Sequence, residues 1–109
     1  MSKKIEFEYE DKKYILEYNR DAIKIMEKQG FDLNSFTEKP MLMLDIAFQG
    51  AFIKNHRTIK TVKVEEIYTI MEDKEKLAKT LLEMIQETYE TLFETKEDEN
   101  GKNIGWKIV

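Results

Sequence analysis

An α+β fold is predicted: an N-terminal β-hairpin packed on a bundle of about four helices, the central helix apolar on nearly every side. Three observations predict it. Residues 5–10 alternate strictly, with Ile5, Phe7 and Tyr9 on one face and Glu6, Glu8 and Glu10 on the other, the period of a half-buried strand. Ten of the thirteen residues 41–53 are apolar, so a helix there needs covering on almost all sides. Near the end, Leu77, Leu81, Met84, Ile85, Thr88, Tyr89, Leu92 and Phe93 recur at the three- and four-residue spacing of a wide amphipathic face.

The elements follow in order. After a polar turn at Glu10, Asp11 and Lys12, alternation resumes through Tyr14, Leu16 and Tyr18, giving a second strand and a hairpin. Two strands are marginal alone, so the hairpin must lay its aromatic face on helices. Asn19 can cap a first helix with Asp21 in its first turn, apolar Ala22, Ile23 and Met26, and Gly30 just past its end. Phe31, Leu33 and Phe36 then cross the surface irregularly. Pro40 opens the central helix, predicted over residues 40–55, because the N–H it lacks would be unpaired in a first turn.

Asp45 and Gln49, four apart, share the central helix's one polar stripe, and Ala47, Gly50 and Ala51 let another backbone come close. A basic connector, residues 56–63, leads to a short helix over 64–71 with Val64, Ile67, Tyr68 and Met71 inward. Asp73 caps the last helix, which runs from Lys74 to about Thr95. Residues 94–102 are polar, acidic and expected to be mobile, and residues 104–109 form a late apolar patch suited to an added strand or a partner. The division expected is one α+β domain over residues 1–93 and an acidic tail over 94–109.

The chain of 109 residues suffices for one core without staples. It has no cysteine, which excludes disulfides and thiolate metal sites. Neither a signal core nor a membrane-length apolar run occurs, as expected of an intracellular protein. Net charge is −4, unevenly spread. Residues 83–99 hold seven acids and one lysine, whereas residues 54–63 hold Lys54, Arg57, Lys60 and Lys63 with no acid. That basic surface is small for nucleic acid. It reads as a solvated loop or as one side of a charge-complementary contact, within the chain or between subunits.

Catalysis is not expected. His56 is the only histidine and stands at a helix end beside Asn55 and Arg57, where a surface role outweighs that of a base. Glycine-rich phosphate loops are absent. Glu83, Glu87, Glu90 and Glu94 follow helical spacing on a polar face, and such carboxylates alone make a poor metal site. No cofactor, metal or catalytic residue is assigned. Binding remains: six methionines supply soft apolar surface, and the apolar helices look generous for the elements that must cover them. The candidate contact residues are Met41, Met43 and Phe48 on the central helix and Leu77, Leu81, Met84 and Tyr89 on the last.

The order of segments carries a resemblance. The hairpin from Ile5 to Tyr18 is followed by Arg20, by Met26-Glu-Lys-Gln-Gly-Phe31, and by Glu38-Lys-Pro40. Then come Ala47-Phe-Gln-Gly-Ala-Phe-Ile-Lys-Asn-His56, Glu66-Ile-Tyr68 and Asp73-Lys-Glu75. To about Phe93 this resembles the small tail assembly chaperones encoded by siphophages and prophages of Gram-positive bacteria. The resemblance implies a cofactor-free, oligomeric protein of the host cytoplasm that binds the tape measure protein and keeps it soluble during tail assembly. It carries no catalytic residues to transfer. A structural tail or connector component and a bacterial protein-binding regulatory domain are the alternative readings.

Overall fold

The computed structural model describes residues 3–95 and 98–109. The fold is α+β: β1 (Ile5–Tyr9) and β2 (Lys12–Leu16) form an antiparallel hairpin, followed by α1 (Arg20–Lys28), α2 (Pro40–Gly50), α3 (Thr61–Ile70) and α4 (Lys74–Glu90). Single 3-10 turns occupy Leu33–Ser35 and Thr91–Phe93.

The hairpin turns on Glu10 and Asp11, both left-handed at φ 52° and 63°. Two such residues give a two-residue loop whose twist matches that of the strands. Tyr9 then faces Lys12 and Phe7 faces Tyr14, their rings stacked at 5.2 Å. Asn19 caps α1 as expected, accepting the Ala22 N–H at 2.8 Å, and Gly30 follows at φ 104°. Asp73, itself left-handed, accepts from the Lys76 N–H at the start of α4. Just past the other end of α4 the Arg20 guanidinium donates to the Thr91 and Leu92 carbonyls, the first of which also accepts the Glu94 N–H.

The core lies where α1, α2 and α4 meet under the hairpin, around the fully buried Leu16, Met26, Phe52, Leu81 and Ile85. The small residues of α2 do what their size suggests. A Cβ on Gly50 would overlap the Met26 thioether of α1. The Glu17 N–H donates to the Ala51 carbonyl at 3.2 Å, and the buried Tyr18 hydroxyl donates to the Ala47 carbonyl at 2.6 Å.

Three boundaries differ from expectation. Regular α2 ends at Gly50, not near Asn55; residues 51–55 continue as tighter turns closed by bonds such as Phe52 N–H to Gln49 O and Ile53 N–H to Gly50 O. That tightening brings Asn55 and His56 onto β2. The short helix starts three residues earlier than expected, at Thr61, and α4 gives way at Thr91 to its 3-10 turn. Within the expected acidic tail, Lys96 and Glu97 lie outside the described residues. Residues 98–102 fold into a turn in which Asp98 Oδ1 accepts the Asn100 and Lys102 N–H groups at 2.8 and 2.9 Å.

Candidate functional site

The basic connector is tied into its own chain. Lys54 reaches Glu17 at 2.9 Å, Arg57 reaches Asp21 at 3.0 Å, and Lys63 bridges Glu10 at 2.6 Å and Glu66 at 3.2 Å. These pairs lie mostly at the surface, and their acids come from the residue after β2, the hairpin turn, α1 and α3 instead of the acidic segment 83–99. Glu17, 7% exposed, is the only buried charged residue described. Burial pushes its carboxyl up, but hydrogen bonds from Lys54 and Asn55 and the charges of Lys54 and Lys4 outweigh that and hold it below the ordinary value.

His56 is a structural acceptor. Its Nε2 takes the Ile15 N–H at 3.0 Å, while Asn55 donates to the Ile15 carbonyl at 3.1 Å, so both outward backbone groups of Ile15 on β2 are taken by side chains. Burial lowers the His56 pKa and the Lys12 charge lowers it further. Accepting an N–H requires the neutral ring in any case. Among the described residues no cluster of three or more histidines and carboxylates is placed to hold a metal ion. Nor is any described helix long and apolar enough to cross a membrane.

An open concavity runs between α2 and α3. It measures ≈ 520 Å³, with apolar walls from Met41, Leu42, Leu44, Phe48, Val64 and Tyr68 and acidic rims at Asp45 and Glu65. Met41 is 86% and Leu42 51% exposed at its mouth. Phe48 forms the floor, edge-on to Phe52 and Tyr68 at 5.2 and 5.3 Å. The groove exists because α2 is apolar all round while only one flank, toward α1 and α4, is fully covered. Val62 and Ile70 extend the exposed apolar surface along α3. A smaller cleft of ≈ 290 Å³ lies between α1 and α4, lined by Ile23, Tyr89 and Leu92 among others.

The seven candidate contact residues separate accordingly. Met41 stands at the groove mouth and Phe48 lies at its floor, buried. Tyr89 lines the smaller cleft, its hydroxyl donating to Glu27 at 2.7 Å, and burial followed by that bond pushes its pKa up to about 12. Met43, Leu77, Leu81 and Met84 are corrected to core: their face of each helix is turned onto α1, α2 and α4, and no partner reaches them in this fold. The site residues not singled out beforehand are Leu42, Leu44, Val64 and Tyr68. Tyr68 and Val64 stood in the three/four spacing of α3, which marks an inward face without saying that part of that face stays open.

The molecule is thus a small α+β fold with an open apolar groove and an exposed segment without helix or strand at residues 104–109. It belongs to the DUF5055 family, a domain of unknown function, whose model matches residues 1–109. Neither the curated proteins nor the solved structures contain a match to this chain.

Proposed function

We propose that this protein is a phage tail assembly chaperone that binds the tape measure protein in the host cytoplasm and keeps it soluble during tail assembly. The observation that supports it is the α2–α3 groove, an adaptable apolar trough open to solvent and rimmed by acids. An amphipathic client helix lays anchors at i, i+3 or i+4, and i+7 into such a trough. Its basic residues then face Asp45 and Glu65, and the Met41 thioether adjusts to different anchors. The resemblance in segment order supplies the identity of the client. The role is one of binding, with no chemical step.

Co-expression with a tape measure protein tests it. The chaperone is expected to co-purify with the long helical partner and to raise its soluble fraction. Leu42→Glu, at the groove mouth, is expected to weaken capture tenfold or more while leaving the circular dichroism spectrum unchanged. Absence of capture by the wild type, or equal capture by Leu42→Glu, overturns the assignment. Recovery of the protein from purified particles without capture of soluble client makes it a structural tail or connector component instead.

A further inference from the structure

Two features of the molecule lack a partner and match one another. The first is the outer edge of β1. In a hairpin closed by a two-residue loop, Tyr9–Lys12, Phe7–Tyr14 and Ile5–Leu16 exchange the ladder bonds. The backbone groups of Lys13 and Ile15 on one strand, and of Glu6 and Glu8 on the other, then point outward. Those of Ile15 are taken by His56 and Asn55. Among the described residues nothing pairs with those of Glu6 and Glu8. The apolar strip on this side is also unfinished: Tyr14 and Leu16 of β2 are buried, whereas Ile5, Phe7 and Tyr9 are only half-buried.

The second feature is residues 104–109. They form no helix or strand, and Ile104, Trp106 and Ile108 are 93%, 84% and 89% exposed, alternating with Gly105 and Lys107. Alternation of this kind suits a strand with one apolar face. Every residue from 101 to 109 is exposed. The principal extents are accordingly 54 × 35 × 23 Å, and the radius of gyration is 16.1 Å where about 13 Å is usual for a compact chain of this length.

We propose that residues 104–109 of one copy add as a third strand to the outer edge of β1 in a second copy. Ile104, Trp106 and Ile108 continue the strip of Ile5, Phe7 and Tyr9, and Lys107 lies on the solvent face beside Glu6 and Glu8. Charge favours this occupant: among the described residues Glu8 has no ion pair and feels Lys13 only at longer range, while Glu6 pairs with Lys13 and feels the charge of Lys4 beyond it. A helical client has no free backbone to offer an edge, whereas an extended segment does, its main chain giving affinity and its alternate side chains register. Arm and edge are different surfaces, so the association is head-to-tail, closing into a ring or running on. A third strand also completes a sheet that is marginal with two.

Sedimentation of the full chain over a wide concentration range tests this. The wild type is expected to associate. Trp106→Asp, which spoils the arm, and Glu8→Pro, which removes an outward N–H without touching the ladder to β2, are each expected to stay monomeric. Mixed together, the intact edge of the first and the intact arm of the second give a capped one-to-one dimer. Should Glu8→Pro disturb the fold, Glu8→Lys and Lys107→Glu, both at exposed positions, are each expected to weaken association several-fold and together to restore it. A wild type monomeric throughout, a Trp106→Asp variant that assembles normally, or a charge reversal that restores nothing overturns the proposal. So does protection of the β1 amides by the arm within a monomer, which places the arm on its own edge. Arm variants that assemble normally yet lose a client assign the arm to that client, with the same consequence.

Discussion

The two ends of the apolar segment 41–53 are both apolar yet have opposite surroundings. At the far end Gly50, Ala51 and Phe52 are buried, touched by Met26 of α1 and by the backbone of Glu17. At the near end Met41 and Leu42 face solvent across the α2–α3 groove. The difference comes from what the rest of the chain supplies. Small residues at 47, 50 and 51 admit a hairpin and a helix on one flank, while α3 touches the other flank along only part of its length. Hydrophobicity therefore says that a helix must be covered somewhere, and side-chain size says where.

Substitutions at the two ends should separate them. The largest effect is expected for Phe52→Ala, which empties a fully enclosed ring site packed by Phe48 and Tyr14. Its expected cost is about 3–5 kcal/mol by denaturant titration. Met41→Ala at the open end should change stability by less than about 0.5 kcal/mol. Equal costs at the two positions would erase the distinction. Next comes Gly50→Ala, expected to destabilise by about 1–2 kcal/mol although alanine is the better helix former, because the new methyl meets the Met26 side chain. In the double variant with Met26→Ala, which is itself costly at this buried site, the two losses should sum to less than additive, a coupling confined to residues in contact.

A smaller, pH-dependent effect belongs to the buried flank alone. The folded-state pKa of His56 lies below its ordinary 6.5, so the unfolded chain binds more protons and stability rises with pH. The contribution is complete above about 6.5 and declines as pH falls through the lower folded value. Glu17, also lowered from 4.5, adds a second decline beginning below about 4.5. Between pH 7.5 and 5.5 the thermal midpoint of His56→Gln is expected to fall less than that of the wild type, since glutamine retains an acceptor without titrating there. Parallel curves would remove His56 from this role.

Much of this was legible beforehand, and for local reasons. The hairpin, the Asn19 and Asp73 caps, Gly30 and the spacing of α4 are written in neighbouring residues. Signals of that kind do not depend on tertiary contacts. The groove was not legible in the same way. A helix apolar on every side has no direction, so nothing near Met41 or Met43 says that one is exposed and the other buried. The α4 candidates failed for the opposite reason: Leu77, Leu81 and Met84 form so regular a stripe that they mark the core and not a contact surface. Glu17 was hidden too, for its partners Lys54 and Asn55 lie far along the chain. The late apolar residues from Ile104 onward were visible as a patch, but their exposure and the open edge of β1 needed coordinates.

The bond from Ile15 of β2 to His56 bears on how the chain folds. The Ile15 amide depends on an acceptor 41 residues away, and the Tyr18 hydroxyl on one 29 residues away. A hairpin whose Ile15 backbone groups are satisfied only by Asn55 and His56, just beyond α2, gains little by forming early and alone. Strands and central helix should therefore be acquired together, with loop closure between them setting the pace. The Ile15 amide should accordingly exchange its hydrogen through a concerted opening of both elements, not through fraying of a turn.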